Sequence, residues 1–263
     1  MIPLFDSLAH PTLSGQWVSK NLDARFDSLI EEMEASQVPM ACAVGLAGKA
    51  DYEHVAFAKA CSQYPQLVPV AGFDPIRENA ENTLPMLADL GYKAIKIHPR
   101  YSQIQVRQQL PVLTQTLQQA QANNLVVIWC TYYQSVLEHF PTSDPFFDLV
   151  SVLKESPETK VMLAHGGGIR VMEYAELARF NFNILLDLSL TLMKYEGSSV
   201  DADLQFLFSL FDRRICLGSD WPEYSLASVR KKAERLSHSI SEEKCNNIFY
   251  GNLARFFGID FKT

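Results

Sequence analysis

The sequence has few cysteines and no Cys-x-x-Cys pair. Its five cysteines, Cys42, Cys61, Cys130, Cys216 and Cys245, are an odd number. That pattern offers no disulfide framework, and it reads as a reduced, cytoplasmic protein. Cys42, Cys130 and Cys216 sit inside apolar runs, where a thiol behaves as a small buried hydrophobe. Basic charge is also short: 23 Lys and Arg against 30 Asp and Glu, a net charge of −7. A nucleic-acid or anionic-membrane partner is therefore not expected, because neither finds a basic patch here. The densest basic cluster, Arg230-Lys231-Lys232, reads as a solvated helix face. No apolar run reaches the ~18 residues that span a bilayer. The first residues, Met1 to Asp6, lack the basic region and apolar core of a signal peptide. Linkers, low-complexity tracts and short repeats are missing as well.

What is present is a regular alternation. The hydrophobic fraction is 48% and the charged fraction 20%, enough for a packed core. Apolar runs of strand length fall at Leu4–Ala9, Ala41–Gly45, Val68–Phe73, Ala94–His98, Leu125–Thr131, Val161–His165, Ile184–Ser189 and Arg214–Gly218. Most are continuous, as parallel strands covered on both faces require. Segments of helical period separate them. One runs from Asp23 to Gln37 with Phe26, Leu29, Ile30 and Met33 on one face and Asp23 as N-cap. The last spans Ser239 to Phe257, opened by a Ser239/Glu242 capping box. Eight such units predict an α/β fold, a (β/α)8 TIM barrel, as one domain over residues 1–263. A doubly wound open sheet is the runner-up. It lacks the glycine-rich phosphate turn that should follow its first strand.

Strand alternation then groups the polar residues. Asp6, Leu8 and His10 share a parity in the first strand, as do Lys96 and His98 in the fourth. Leu163 and His165, Asp187 and Ser189, and Gly218 and Asp220 pair in the last three; Gly72 and Asp74 pair in the third. All lie toward the strand ends that form a barrel's catalytic mouth. A buried Lys96 is costly unless paired, so a carboxylate partner is expected, Asp6 or Asp74.

Phe5-Asp6 through His10, Gly91 to Pro99 (GYKAIKIHP), Leu163-Ala164-His165-Gly166-Gly167, Gly218-Ser219-Asp220-Trp221-Pro222 and Tyr250 to Phe257 occur in order along the chain. In these the chain resembles the amidohydrolase superfamily, in the branch of aminocarboxymuconate-semialdehyde decarboxylase and 2-pyrone-4,6-dicarboxylate lactonase. The resemblance covers nearly the whole chain. It implies a hydrolase of a small carboxylated or cyclic amide, ester or lactone, with decarboxylation as a variant. It also implies a metal site in some members, and two usual ligands are replaced here. The first strand has Leu8 in place of a histidine, and the fifth is expected to place Trp129 at the ligand position. His10, His165 and Asp220 still form a legitimate set for one zinc-like divalent ion. In the metal-free alternative, Asp220 activates water and His165 and His98 flank the carbonyl. Lys96 or Arg100 would then bind a substrate carboxylate, and Trp129 is either a wall or a stacking surface.

Structural readings stand beside these. Asp220 could cap the following helix, His165 could satisfy a backbone carbonyl, His10 could sit in a surface loop, and His98 could simply precede Pro99. Asp187 and Ser189 either cap their strand or line the pocket. Tyr132, Tyr133, Glu223 and Tyr224 are candidate rim residues. His54, His139 and His238 are read as structural, without partners. A non-catalytic barrel that binds a small molecule or a protein remains the second class of function, motivated by Leu8 and Trp129. A small-molecule substrate is the expected partner, and a homodimer is open because related barrels often pair.

Overall fold

In the computed structural model, which describes residues 2–18, 21–134, 137 and 140–260, eight parallel strands stand side by side in chain order. They are β1 (Phe5–Ala9), β2 (Met40–Val44), β3 (Leu67–Phe73), β4 (Ala94–Ile97), β5 (Val126–Cys130), β6 (Val161–Ala164), β7 (Ile184–Asp187) and β8 (Ile215–Cys216). The ring closes between β8 and β1. Ser7 N donates to Leu217 O at 2.9 Å, Asp220 N to Leu8 O at 2.8 Å, and His10 N to Trp221 O at 2.8 Å. The result is the TIM barrel that the apolar runs predict, with each strand within a few residues of its expected span.

The outer ring is α1 (Phe26–Ala35), α2 (His54–Cys61), α3 (Ala80–Asp89), α4 (Val106–Ala122), α5 (Pro145–Glu155), α6 (Val171–Phe180), the single turn α7 (Thr191–Lys194), α8 (Val200–Leu210) and α9 (Leu226–Ser237). The C-terminal segment breaks into α10 (Glu242–Asn246), a π turn and α11 (Asn252–Phe257). Side-chain alternation divides the core in two. Ala43, Phe73, Ile95, Val127, Trp129, Leu163 and Leu186 pack outward against helices. Phe5, Leu8, Val44, Val70, Ala94, Ile128, Met162, Leu185 and Cys216 fill the interior. Leu253, Ala254 and Phe257 of α11 join the interior cluster, so the last helix covers one end of the barrel. Each fully buried Leu or Phe contributes roughly 1.5–3 kcal/mol.

Three local expectations change. Asp23 does not cap α1; Arg25 is the N-cap residue, and Asp23 instead accepts from Arg25 N and Ser28 Oγ. Ser241, not Ser239, caps α10, because its side chain accepts from Lys244 N. Arg230 and Lys232 are buried rather than solvated. Arg230 donates to the carbonyls of Ser36, Gln37 and Ile2, and Lys232 lies 2.7 Å from Asp201. These two cations tie α9 to α1 and α8. All five cysteines are free and buried. Among the described residues no helix is long and apolar enough to cross a membrane.

Candidate active site

Just past the strands, the backbone leaves the extended conformation. His165 follows β6 at φ 68° and Asp220 follows β8 at φ 57°, both left-handed. Such residues cost about 1–3 kcal/mol each and persist only where surroundings fix them. Asp220 is fixed from both sides: its N–H reaches Leu8 O, and its carbonyl accepts from Glu223 N at 2.9 Å. His165 opens a run in which Gly166, Gly167 and Gly168 have φ of 55°, 77° and 63°. A Cβ on Gly167 would fall 2.1 Å from Tyr174 Cδ2, so the turn needs glycine there. Leu163 faces the helices, not the interior. The shared face expected for Leu163 and His165 fails because the left-handed residue interrupts the pleat.

Asp220 and His10 meet at the centre. His10 Nε2 lies 3.5 Å from Asp220 Oδ1, and both side chains are buried. His10 Nδ1 is 2.7 Å from Val44 O. A carbonyl only accepts, so Nδ1 carries a proton, and Nε2 attracts the carboxylate it faces only when it carries a second one. Trp17 stacks over His10 at 5.4 Å and is pinned by a 2.6 Å hydrogen bond to Glu223 Oε1. Burial works against the Asp220 carboxylate, but His165, His10 and the Lys96 ammonium outweigh it and hold the group well below the usual range. Burial pushes His165 down to about 3, with Lys96 adding to the effect and Asp220 opposing it. Burial, Lys96 and Arg100 likewise hold His98 well below an ordinary imidazole. At neutral pH the mouth therefore contains a carboxylate beside neutral His165 and His98.

Lys96 is the anomaly. It is 2% exposed and its Nζ has no hydrogen-bond partner among the described residues. Neither expected carboxylate pairs with it. A register shift in β1 accompanies Asp6, which accepts from Ser219 N, Ser219 Oγ and Leu8 N. Asp74 closes its own turn, accepting from Ile76 N at 3.0 Å beside Arg77. Arg100 donates through Nη1 to Gln134 O, while its Nε is buried without a partner among the described residues. The Arg100 guanidinium lies 5.1 Å over Tyr101 and 5.5 Å over Tyr132. Tyr101 in turn stacks on His98 at 3.8 Å, and Tyr132 meets His165 edge-on at 6.3 Å. Tyr132 is thus at the rim, as expected.

Trp129 is misplaced by the sequence reading. It packs in the outer layer with Val127, so it neither stacks on a substrate nor walls the mouth. Cys130 holds the inward position at the end of β5, with Sγ 3.5 Å from His98 Nε2. The signal was available, since Ile128 and Cys130 share a face. His54 is not unpartnered: Nε2 meets Glu78 Oε2 at 2.7 Å and Nδ1 meets Tyr52 Oη at 2.9 Å. His139 lies outside the described residues. A small pocket opens beside His10, lined also by Val44, Lys49 and Tyr52, and it takes in no other residue of the polar centre.

A resident metal does not fit these residues. Among the described residues no group of three or more His, Cys, Asp or Glu side chains is arranged to hold an ion. His10 and Asp220 converge, but a third ligand is missing and the Lys96 ammonium acts on the same carboxylate. The zinc-like ion expected between His10, His165 and Asp220 has no three-ligand cradle.

A sequence model of the family described as Amidohydrolase matches residues 7–259. A comparison with curated proteins finds no match. Solved structures do match. An uncharacterized TIM-barrel protein from Bordetella bronchiseptica is 18% identical with a TM-score of 0.75, covering 98% of this chain and 99% of that one. A probable 2-pyrone-4,6-dicarboxylic acid hydrolase from Acinetobacter baumannii, solved with citric acid bound, is 17% identical with a TM-score of 0.72, covering 98% and 100%. 5-Carboxyvanillate decarboxylase from Sphingomonas paucimobilis is 14% identical with a TM-score of 0.70, covering 99% and 100%. At these identities the likeness speaks for the shared barrel.

Proposed function

The chain belongs to the amidohydrolase family, and on that premise we propose that it hydrolyses a small carboxylate-bearing ester, lactone or amide without a resident metal, with Asp220 as the base. The observation that carries this is the buried, ionised Asp220 next to His10, in the same mouth as a buried ammonium that nothing satisfies. Asp220 takes a proton from water as the water oxygen bonds to the substrate carbonyl carbon. The C–O or C–N bond then breaks, and the leaving atom takes the proton back from Asp220. His98 has the tautomer for a donor. Tyr101 N–H points at His98 Nδ1 at 3.3 Å, so the proton sits on Nε2, and a substrate carbonyl that displaces its weak contact to Cys130 Sγ is polarised by it. Lys96, with Arg100 above it, takes the substrate carboxylate. The related hydrolase and decarboxylase barrels make carboxylated substrates the natural first choice.

The motive for a binding-only barrel weakens, because Trp129 faces the helices and does not fill the mouth. The test is a panel of carboxylated lactones, esters and amides, with carboxylated aromatic acids to catch decarboxylation. Asp220→Asn should lose roughly 10²- to 10⁴-fold in turnover while still folding. Wild-type turnover in Asp220→Asn would remove Asp220 from the mechanism.

A further inference from the structure

His165 is held by a hydrogen-bond chain that the reaction above does not use. Its Nδ1 is 3.0 Å from Ser189 Oγ. Ser189 Oγ donates to Asp187 Oδ2, on the inner face of β7. Asp187 is saturated: Oδ2 also accepts from His165 N at 3.1 Å, and Oδ1 accepts from Ser7 Oγ at 2.5 Å and Ser189 N at 3.1 Å. Four donors fill the four lone-pair sites of a carboxylate, so a proton on Asp187 would displace one of them. Burial pushes the Asp187 carboxyl up, and these hydrogen bonds oppose it.

The chain therefore has one direction. Ser189 has a single hydroxyl proton, committed to Asp187. Its oxygen can only accept from His165, so Nδ1 of His165 carries the imidazole proton. We infer that Asp187 and Ser189 are positioning residues that lock His165 in the Nδ1–H tautomer, making its Nε2 a proton acceptor in the mouth rather than a donor. The role rests on the hydrolytic reading above. It separates the histidines by chemistry: His98 donates from Nε2, and His165 accepts at Nε2. The fold invests backbone in this placement. Thr191 Oγ1 donates to His165 O at 2.5 Å, and Thr131 Oγ1 accepts from Gly167 N at 2.7 Å. Leu190, between Ser189 and Thr191, is itself left-handed at φ 58°.

The test is ¹⁵N NMR of the full chain labelled at histidine, without substrate, at pH 7. Six histidines contribute, and His165→Gln assigns the relevant pair of signals. The expected result is a protonated Nδ1 and an unprotonated Nε2. A protonated Nε2, alone or together with Nδ1, overturns the inference. Ser189→Ala should release the lock, giving averaged tautomers at His165. An unchanged His165 signal in a folded Ser189→Ala variant would show that Ser189 sets nothing. If that variant fails to fold, the wild-type spectrum still decides the tautomer. Because the spectrum needs no turnover, its outcome is separate from that of Asp220→Asn.

Discussion

Replacing Lys96 with methionine should make the protein more stable and less active. Lys96 occupies the inward side of β4, in register with Gly72 on β3 and Ile128 on β5. Removing an ammonium from water costs several kcal/mol, and a buried charge recovers this only through a close partner with good hydrogen bonds. Lys96 has neither, since its Nζ meets no acceptor. Methionine has nearly the same length and no charge to desolvate. Against the gain stands the lost attraction to the Asp220 carboxylate. The balance favours Lys96→Met by about 1–3 kcal/mol, and a chain of this size gains roughly 2–4 °C in Tm for each kcal/mol.

The activity should move the other way. A charge-assisted hydrogen bond to a substrate carboxylate is worth about 1.5–3 kcal/mol. Its loss lowers kcat/KM by roughly 10- to 150-fold. Calorimetric Tm at pH 7, together with kcat/KM on the substrate found in the panel, checks both halves. A Tm that falls in Lys96→Met would refute the premise that this cation is unsatisfied. A Tm that rises with kcat/KM unchanged would refute its assignment to substrate.

Two further outcomes follow from the strand ends. Gly167→Ala must place a Cβ at φ 77° within 2.1 Å of the Tyr174 ring, and should cost roughly 2–5 kcal/mol in urea denaturation; a loss below 1 kcal/mol would mean the turn is soft. Asp6 is raised from 3.8 to about 7, chiefly by burial, with Asp187 adding a smaller push. A raised carboxyl binds its proton more tightly in the folded state, so its contribution is fully present below 3.8 and is lost as pH rises toward about 7. The size is about 4 kcal/mol, from 1.36 kcal/mol per pH unit over that interval. Asp6→Asn should therefore lose less stability than the parent as pH rises from 3.8 to about 7, and parallel pH-stability curves over that range would contradict the shift.

The barrel was legible because pleated strands obey a period of two and amphipathic helices one of 3.6, and both periods survive in the sequence. Within strands the reading extends to single side chains: Lys96 points inward as its parity demands. It failed at Trp129 by one register, since the match to a ligand-bearing strand end overrode the count that puts Ile128 and Cys130 on the inner face. Beyond the strand ends no period applies. His165, Leu190 and Asp220 are left-handed without being glycine, a backbone that the two-residue period of a strand does not describe. The Lys96 partner was misjudged for a related reason. Proximity in a barrel mouth is set by where each carboxylate finds its own donors, and Asp6 finds them in Ser219, 213 positions away. The hydrogen-bond chain through Asp187 and Ser189 is invisible to sequence for the same cause. It depends on the local turn that brings Ser189 Oγ to His165 Nδ1, across two strands whose register only the folded backbone defines. The residues that carry chemistry thus sit where periodicity stops. Their types can be read from the sequence, but their proton states depend on partners that only the closed barrel supplies.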